Sequence, residues 1–409
     1  MLPPLLHHSG FRRFFTGRAI SLLGSSMAPL ALAFAVLDAA HGRAADLGAV
    51  LAVRMVPLLA LLLLGGAVAD RLPRRTVLLT THLGAGLSQG AAATLLLTGH
   101  YALGPFAALE FLNGALTAFT SPALRGVLPE LVPDEQLRPA NALLGMAANG
   151  SKLLGPPLAG LLVAGVGPGW AVALDALSYL PAAYLLGRLP AGPARSRPTA
   201  LRADLRADLR EGWTVLRRTR WVWWTTWSFC ATNLLLVGPW QILGPQLAGP
   251  ALWGTLLAAR GAGLLLADTA VYRLAPRRLL ATGQLAGLLL PLPLLALGLR
   301  APVPWLFAAA LASGLGLALS ATAWNTSVQE HLPRDVLSRV SANADALSYL
   351  AIPLGQLACA PLTARLGAPA LATAAALCQG ALTLLPLLSP AVRRLPHRPK
   401  TPAPVPAPA

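Results

Sequence analysis

Leu47–Arg75 reads LGAVLAVRMVPLLALLLLGGAVADRLPRR. The stretch Leu47–Ala69 contains one charged side chain, Arg54. It is as long as the roughly 20 residues a helix needs to cross a bilayer's hydrocarbon core. The run stops at Asp70, and Arg71, Arg74 and Arg75 follow at once. Transmembrane helices meet the cytoplasm in this way, because basic residues collect in cytoplasmic loops.

The same pattern recurs along the 409-residue chain. Five more apolar runs complete a first group: Arg18–Ala39, Val77–Leu97, Ala102–Leu124, Asn141–Val166 and Trp170–Leu186. A second six follow a polar stretch: Val222–Leu243, Leu252–Tyr272, Leu279–Leu299, Pro304–Thr326, Ala342–Leu362 and Pro369–Leu388. The expected fold is an all-α membrane protein of twelve transmembrane helices in two six-helix bundles. Its segments are a cytoplasmic N-terminus (1–17), a first bundle (18–188), a cytoplasmic linker (189–220), a second bundle (221–389) and a disordered cytoplasmic tail (390–409). Within the linker, Leu201, Leu205, Leu209 and Trp213 recur every fourth residue among Arg and Asp. That spacing predicts an amphipathic helix on the inner membrane surface.

Composition supports this reading. Hydrophobic residues make up 55% of the chain and charged residues 11%, against about a quarter charged in soluble domains. Mean hydropathy is +0.61. The formal net charge of +17 raises nucleic-acid binding as an alternative, but the arginines lie between apolar runs, not on one basic face, so no nucleic-acid partner is expected. The charged connectors alternate. Arg12 and Arg13, Arg71 to Arg75, Arg125 and Arg138, Arg188 to Arg220, Arg273 to Arg278, Arg334 and Arg339, and Arg393 to Arg398 fall in one set. The other set holds Arg43, Arg300 and Arg365. This places both termini and the linker in the cytoplasm and the chain in the inner (plasma) membrane. Trp221, Trp223, Trp224 and Trp227 mark the inner edge, and Trp170, Trp253 and Trp305 the outer. The excess of Ala, Leu, Arg, Gly and Pro has the look of a high-GC bacterial genome. Cys230, Cys359 and Cys378 stand alone, and the histidines show no ligand spacing. No metal, cofactor or enzyme activity is therefore expected.

The halves repeat one another. Glu130-Leu131-Val132-Pro133 precedes the fifth run and Glu330-His331-Leu332-Pro333 the eleventh, with Gly155 and Gly355 at the same offset beyond. Pro73-Arg74-Arg75 is echoed by Pro276-Arg277-Arg278. Duplicated bundles imply a pseudo-two-fold axis along the membrane normal and a site between halves near the midplane.

Gly66-Ala67-Val68-Ala69-Asp70-Arg71-Leu72-Pro73-Arg74-Arg75 resembles the loop 2–3 signature of the major facilitator superfamily, with Pro73 in place of the usual Gly. Ser151-Lys152-Leu153-Leu154-Gly155-Pro156-Pro157-Leu158-Ala159-Gly160 resembles its antiporter signature, departing at Ser151 and Ala159. The resemblance covers nearly the whole chain and is closest to the branch of macrolide efflux pumps and the enterobactin exporter. It implies a monomeric secondary transporter in the bilayer that exports a small amphipathic substrate in exchange for protons. An importer or metabolite transporter of the same fold, and a non-transporting sensor, are the alternatives. In the family, Asp70 caps the eleventh span and Arg74 pairs with an acid such as Glu130. That would make Gly66, Asp70, Arg71, Arg74, Arg75 and Glu130 a gate, although the arginines could equally set topology alone. Gly155, Pro156 and Gly160 either pack tightly between halves or form a kink.

Ionisable residues inside spans are candidates for function. Glu110 forms a polar stripe with Asn113, Thr117 and Thr120, expected to face a wet cavity. Glu110 is the first candidate for proton coupling and Asp38 the second. Arg54, at similar depth, could stabilise the charged carboxylate. Asp175, near a span end, reads as structural. Lys152 is expected to pair with Asp268, because spans five and eight meet between halves in this family. Arg260 has no acid at its depth and either pairs across the cavity or touches an anionic part of the substrate. Asn233, Gln241, Ser313, Ser320 and Trp324 complete the cavity candidates, with ordinary interhelical hydrogen bonding as the alternative for the polar ones. A reporter that fluoresces only in the cytoplasm, fused after Ala409, is expected to be bright. One inserted beside Arg300 is expected to be dark. The reverse pattern would overturn the orientation.

Overall fold

The computed structural model describes residues 8–133, 136–189, 201–271 and 277–397. The chain is helical almost throughout these segments. The first half contains α1 (Ser9–Ala39), α2 (Ala44–Arg71), α3 (Arg74–Leu97), α4 (Leu103–Leu131), α5 (Leu137–Val166) and α6 (Pro168–Gly187). A linker helix, α7 (Leu201–Arg218), follows. In the second half, three of the six crossings are interrupted. One rod is α8 (Arg220–Thr232) and α9 (Gly238–Ala248), joined by a π-helical turn at Asn233–Val237. Next come α10 (Pro250–Val271) and a rod of α11 (Leu279–Ala286) and α12 (Leu292–Gly298). The last three are α13 (Val303–His331), the rod of α14 (Arg334–Tyr349) and α15 (Ala351–Leu366), and α16 (Ala368–Leu388), with a short α17 (Pro390–Arg393) beyond.

Only helices and closed barrels satisfy their backbone groups inside lipid, and here the helices form two six-rod bundles. Eight of the rods, among the described residues, are long and apolar enough by themselves to cross a membrane. The others include α3, α4 and α5, which turn Gln89, Glu110 and Ser151 into the protein. Large apolar side chains such as Leu87, Met146, Leu161 and Leu388 face outward, as they must where the solvent is hydrocarbon.

The two halves correspond position by position. Helices α4 and α13 run over residues 103–131 and 303–331, the same length at an offset of 200. Within the first half α2 packs on α4; within the second, α10 packs on α13. Across the halves α10 meets α5 and α2 meets α15. These crossings are close. A Cβ at Gly48 would lie 2.6 Å from the Gln356 carbonyl oxygen, and one at Gly254 2.6 Å from that of Pro156. Cβ atoms at Gly114 and Gly314 would run into the carbonyl oxygens of Arg54 and Arg260 respectively.

Several expectations are corrected. The first helix starts at Ser9, not Arg18, because Phe11 and Phe14 are buried in the bundle. The linker helix packs on α14, with Gly212 against the Arg339 backbone and Glu211 bonded to Arg339 at 2.5 Å. Its contact is thus with the second bundle, although the side chains of residues 201–209 lie outside the described set. The fifth crossing is one unbroken helix through Pro156 and Pro157. Its contacts are divided: Gly160 packs on Pro250 of the other half, whereas Gly155 packs on Ser26 of α1 in its own half.

One apolar core joins the halves at the end away from the termini. It includes Leu30, Val36, Leu47 and Val163 of the first half with Trp240, Leu243, Leu256 and Leu294 of the second. At the terminal end the described residues form two separate cores. One contains Phe11, Phe14, Leu124 and Leu128, and the other Trp221, Trp324, Val328 and Val340. The far end is also tied by polar contacts. Asp46 accepts from Arg43 at 3.1 Å and from the Tyr101 hydroxyl at 3.4 Å. Burial, helped by the Asp46 carboxylate, pushes that hydroxyl's pKa up to about 12, so it stays a donor. Gln246 reaches from the second half to the Gly42 carbonyl at 3.4 Å. Gly114→Val and Gly314→Val should each lower stability by about 1–3 kcal/mol through overpacking. Gly90→Ala, with nothing near its added carbon, should not. Thermal unfolding in detergent reads the difference.

Candidate transport site

Between the halves lies a cavity of about 480 Å³, within the roughly 300–1,000 Å³ of ligand pockets. Its walls come from α1 (Ser26, Pro29), α2 (Leu51, Arg54), α9 (Trp240, Gln241) and α10 (Trp253, Arg260). A second space of about 350 Å³ lies in the C-terminal bundle, lined by Asn233, Ser320, Trp324 and Asp345. Arg260, Leu236, Val237 and Leu290 line both.

Of the cavity candidates, Gln241 lines the first space, and Asn233, Ser320 and Trp324 line the second. Ser313 lines the first as well. Gln356 donates to Gln241 at 2.7 Å, and Ser320 donates to the Gly283 carbonyl at 2.7 Å. The π turn carries Asn233, which donates to the Ser348 carbonyl at 2.9 Å. One extra residue per turn re-aims side chains, and such turns recur at functional sites. The sequence signal was slight: Pro239, two residues past the turn, has no N–H for a regular helix to use.

Asn113 and Thr117 do not line the cavity. Helix α4 presses this face against α2, leaving Asn113 fully buried. Both its amide atoms lack a hydrogen-bond partner, and Thr117 bonds back to the Asn113 carbonyl at 2.8 Å. Glu110 is also fully buried. It lies behind Arg54, not on the cavity wall, because Gly114 brings the α2 backbone against α4. Its carboxylate accepts from Arg54 Nη1 at 3.1 Å and from Gln89 Nε2 at 2.8 Å. Arg54 therefore faces both ways, lining the cavity while bonded to the buried acid.

Asp175, read from the sequence as a structural residue able to reach the interface, is buried instead. It sits on α6 with 2% of its surface exposed, and Oδ1 has no partner. Gly24 of α1 makes room for it, since a Cβ there would lie 2.9 Å from Oδ1. Its place near the start of a span suggested an interfacial residue, but packing of α6 on α1 and α3 encloses it.

Of the other candidates, Asp38 is exposed at the end of α1 and lines neither space. Arg74 pairs with Glu130 at 3.0 Å, while Arg75 is exposed. Glu330, the repeat counterpart of Glu130, meets His397 at 2.9 Å. Gly66, Asp70 and Arg71 fall on α2 and Asp268 on α10, but their side chains lie outside the described residues. So do the expected gate contacts of Asp70 and the Lys152–Asp268 pair. Lys152 is exposed, its backbone passing beside Gly261 of α10. Arg260 forms no ion pair among the described residues. Its Nε is buried without a hydrogen-bond partner, and its guanidinium carbon stands 5.4 Å from the Trp240 ring centre.

A family model described as Major Facilitator Superfamily matches residues 14–356. Two curated proteins of Bacillus subtilis (strain 168) are similar. The uncharacterized MFS-type transporter YfiS is 24% identical over 271 residues, 64% of this chain and 64% of that protein. The uncharacterized MFS-type transporter YhjO is 31% identical over 164 residues, 40% of this chain and 39% of that one. Each alignment thus spans less than two thirds of the relative. Among solved structures, the nucleoside transporter NupG superposes with a TM-score of 0.74 at 10% identity, covering 92% of this chain and 98% of that one. A bacterial homologue of the iron transporter ferroportin, in an inward-facing state, gives 0.72 at 17%, covering 94% and 99%. These likenesses are of fold.

Removing one member of a buried ion pair strands the other's charge, at a cost of about 3–5 kcal/mol. Arg54→Met alone should lose that much, because the Glu110 it leaves behind is fully buried. Arg54→Met with Glu110→Leu should lose clearly less, because no charge is left behind. A denaturation cycle over the four proteins measures it; strict additivity would refute the coupling.

Proposed function

The chain belongs to the major facilitator superfamily of membrane transporters, and from that premise we propose that it exports a small amphipathic molecule in exchange for protons. The observation that carries the reading is the Arg54–Glu110 pair, 3.1 Å apart, between a cavity wall and the bundle interior. With Glu110 ionised, attraction holds Arg54 back against α4. A proton on Glu110 removes that attraction, and Arg54 becomes free to turn toward the cavity. Proton occupancy is thereby linked to the shape and charge of the substrate site. Asp175, buried nearby with a free oxygen, offers a second place for the proton.

The cores support entry of substrate from the inner side. With the termini in the cytoplasm, as the arginine-rich connectors favour, the shared core closes the outer side and the divided cores leave the inner side ready to admit substrate. This is the inward-facing member of an alternating pair. The Arg74–Glu130 pair, which ties α3 to α4 within the first half, would hold the Asp70 region in place as the first half's side of the inner gate when the halves rock. A largely apolar cavity wall, with Leu30, Leu51, Leu236, Trp240 and Leu257, suits an amphipathic substrate better than a sugar.

In a pump-deficient strain, expression is expected to lower accumulation of a hydrophobic dye or antibiotic, and a proton uncoupler to restore it. Glu110→Gln should raise accumulation to the level of cells without the transporter, at equal membrane expression. Efflux by Glu110→Gln at the wild-type rate would remove Glu110 from the coupling mechanism.

A further inference from the structure

The two arginines that line the cavity occupy equivalent positions. Gly114 of α4 abuts the Arg54 carbonyl and Gly314 of α13 abuts the Arg260 carbonyl. Because α4 and α13 share an offset of 200, Asn113 corresponds to Ser313 and Glu110 to Ala310. In the first half the arginine has its carboxylate on the facing helix. In the second half the facing position is a methyl group.

Arg260 is thus the cavity cation without a counter-ion among the described residues. Asp345 lies on the wall of the second space that Arg260 also lines, yet the two form no ion pair. Three further features surround the guanidinium. Nε is buried with no acceptor, Trp240 places its ring 5.4 Å away, and Gln241 and Gln356 line the same cavity. A carboxylate brought to a guanidinium that lines a cavity with no anion of its own is bound by charge-assisted, commonly bidentate hydrogen bonds. The apolar surface around it comes from Leu236, Leu257 and Leu290.

We propose that the substrate is an amphipathic organic anion whose carboxylate binds Arg260 from the cavity, supplying the counter-charge that Glu110 supplies to Arg54 in the first half. The aromatic or aliphatic body lies against Trp240 and the neighbouring leucines. Trp240 also packs on Trp253, ring centres 4.3 Å apart, which holds the indole in position. This deepens the transport reading, since it names the chemical class that the same cavity takes.

The test uses the purified full chain in phosphatidylcholine nanodiscs, which carry no anionic lipid. The probes are dansyl-leucine, a hydrophobic monoanion, and dansyl-leucinamide, the same body without the charge. Energy transfer from tryptophan to the dansyl group reports binding. Wild type should bind the anion about tenfold or more tighter than the amide. Arg260→Gln should erase that preference, bringing the two probes to equal affinity, while Arg260→Lys should keep part of it. Ala310→Glu, which writes the first-half pair into the second half, should also erase it. Arg260→Gln decides the matter if Ala310→Glu does not fold. Equal affinity of wild type for the two probes, failure to bind the anion at millimolar concentration, or an anion preference that survives Arg260→Gln would overturn the proposal. The assay needs neither a proton gradient nor transport. Anion preference with no efflux in cells would therefore sink the export reading and leave this one standing.

Discussion

Two helices can bring their backbones together only where no Cβ stands between them, and this constraint sets the geometry of the whole cavity. In a bilayer the gain comes from packing, since lipid tails are as apolar as the side chains they would replace. At Gly114 and Gly314 the approach is to the carbonyl oxygens of Arg54 and Arg260. Each contact fixes where an arginine leaves its helix, at matching depth on opposite sides of the central space. Two further approaches, at Gly48 and Gly254, join the halves through α15 and α5. The bundles can therefore meet along α2–α15 and α5–α10 while the rest of the interface stays free to open.

Symmetry of backbone and asymmetry of charge then produce function. The same packing gives one arginine a buried carboxylate partner and the other a bare position beside an indole ring. A charge pair inside a protein adds little net stability compared with an apolar pair of the same shape. On the proposed reading its value is as a switch: a proton on Glu110 changes the charge that Arg54 shows to the cavity. Arg260 has no such internal partner among the described residues and presents its charge to whatever enters. On the proposed reading one half responds to protons and the other to a ligand, and both act on the same space.

The apolar cores add the direction of motion. A continuous core at one end and separate cores at the other make a hinged pair of bodies. The far end is further held by Arg43, Asp46, Tyr101 and Gln246. Rocking must exchange which end is closed, so the contacts that close the terminal end have to be polar enough to break. The Arg74–Glu130 pair is not itself such a contact: it ties α3 to α4 within the first half and is formed while the terminal end is divided.

Membrane residence, the number of crossings and the two-fold repeat could all be read from the chain, since each depends on local hydrophobicity and length. Those quantities are properties of successive residues, and the bilayer reads them one helix at a time. Arg54 with Glu110 and Arg74 with Glu130 were legible as pairs because depth and motif placed them at one level. What could not be read was the rotation of each helix about its axis. That angle depends on which faces pack, and it buried Glu110 and Asn113 behind α2, enclosed Asp175 between α1, α3 and α6, and turned Arg260 into the cavity. It also divided the fifth helix between two neighbours, Gly155 toward α1 and Gly160 toward α10. Hydrophobic periodicity is weak guidance here because lipid and protein interior are both apolar, so only the packed bundle distinguishes a face toward lipid from one toward protein.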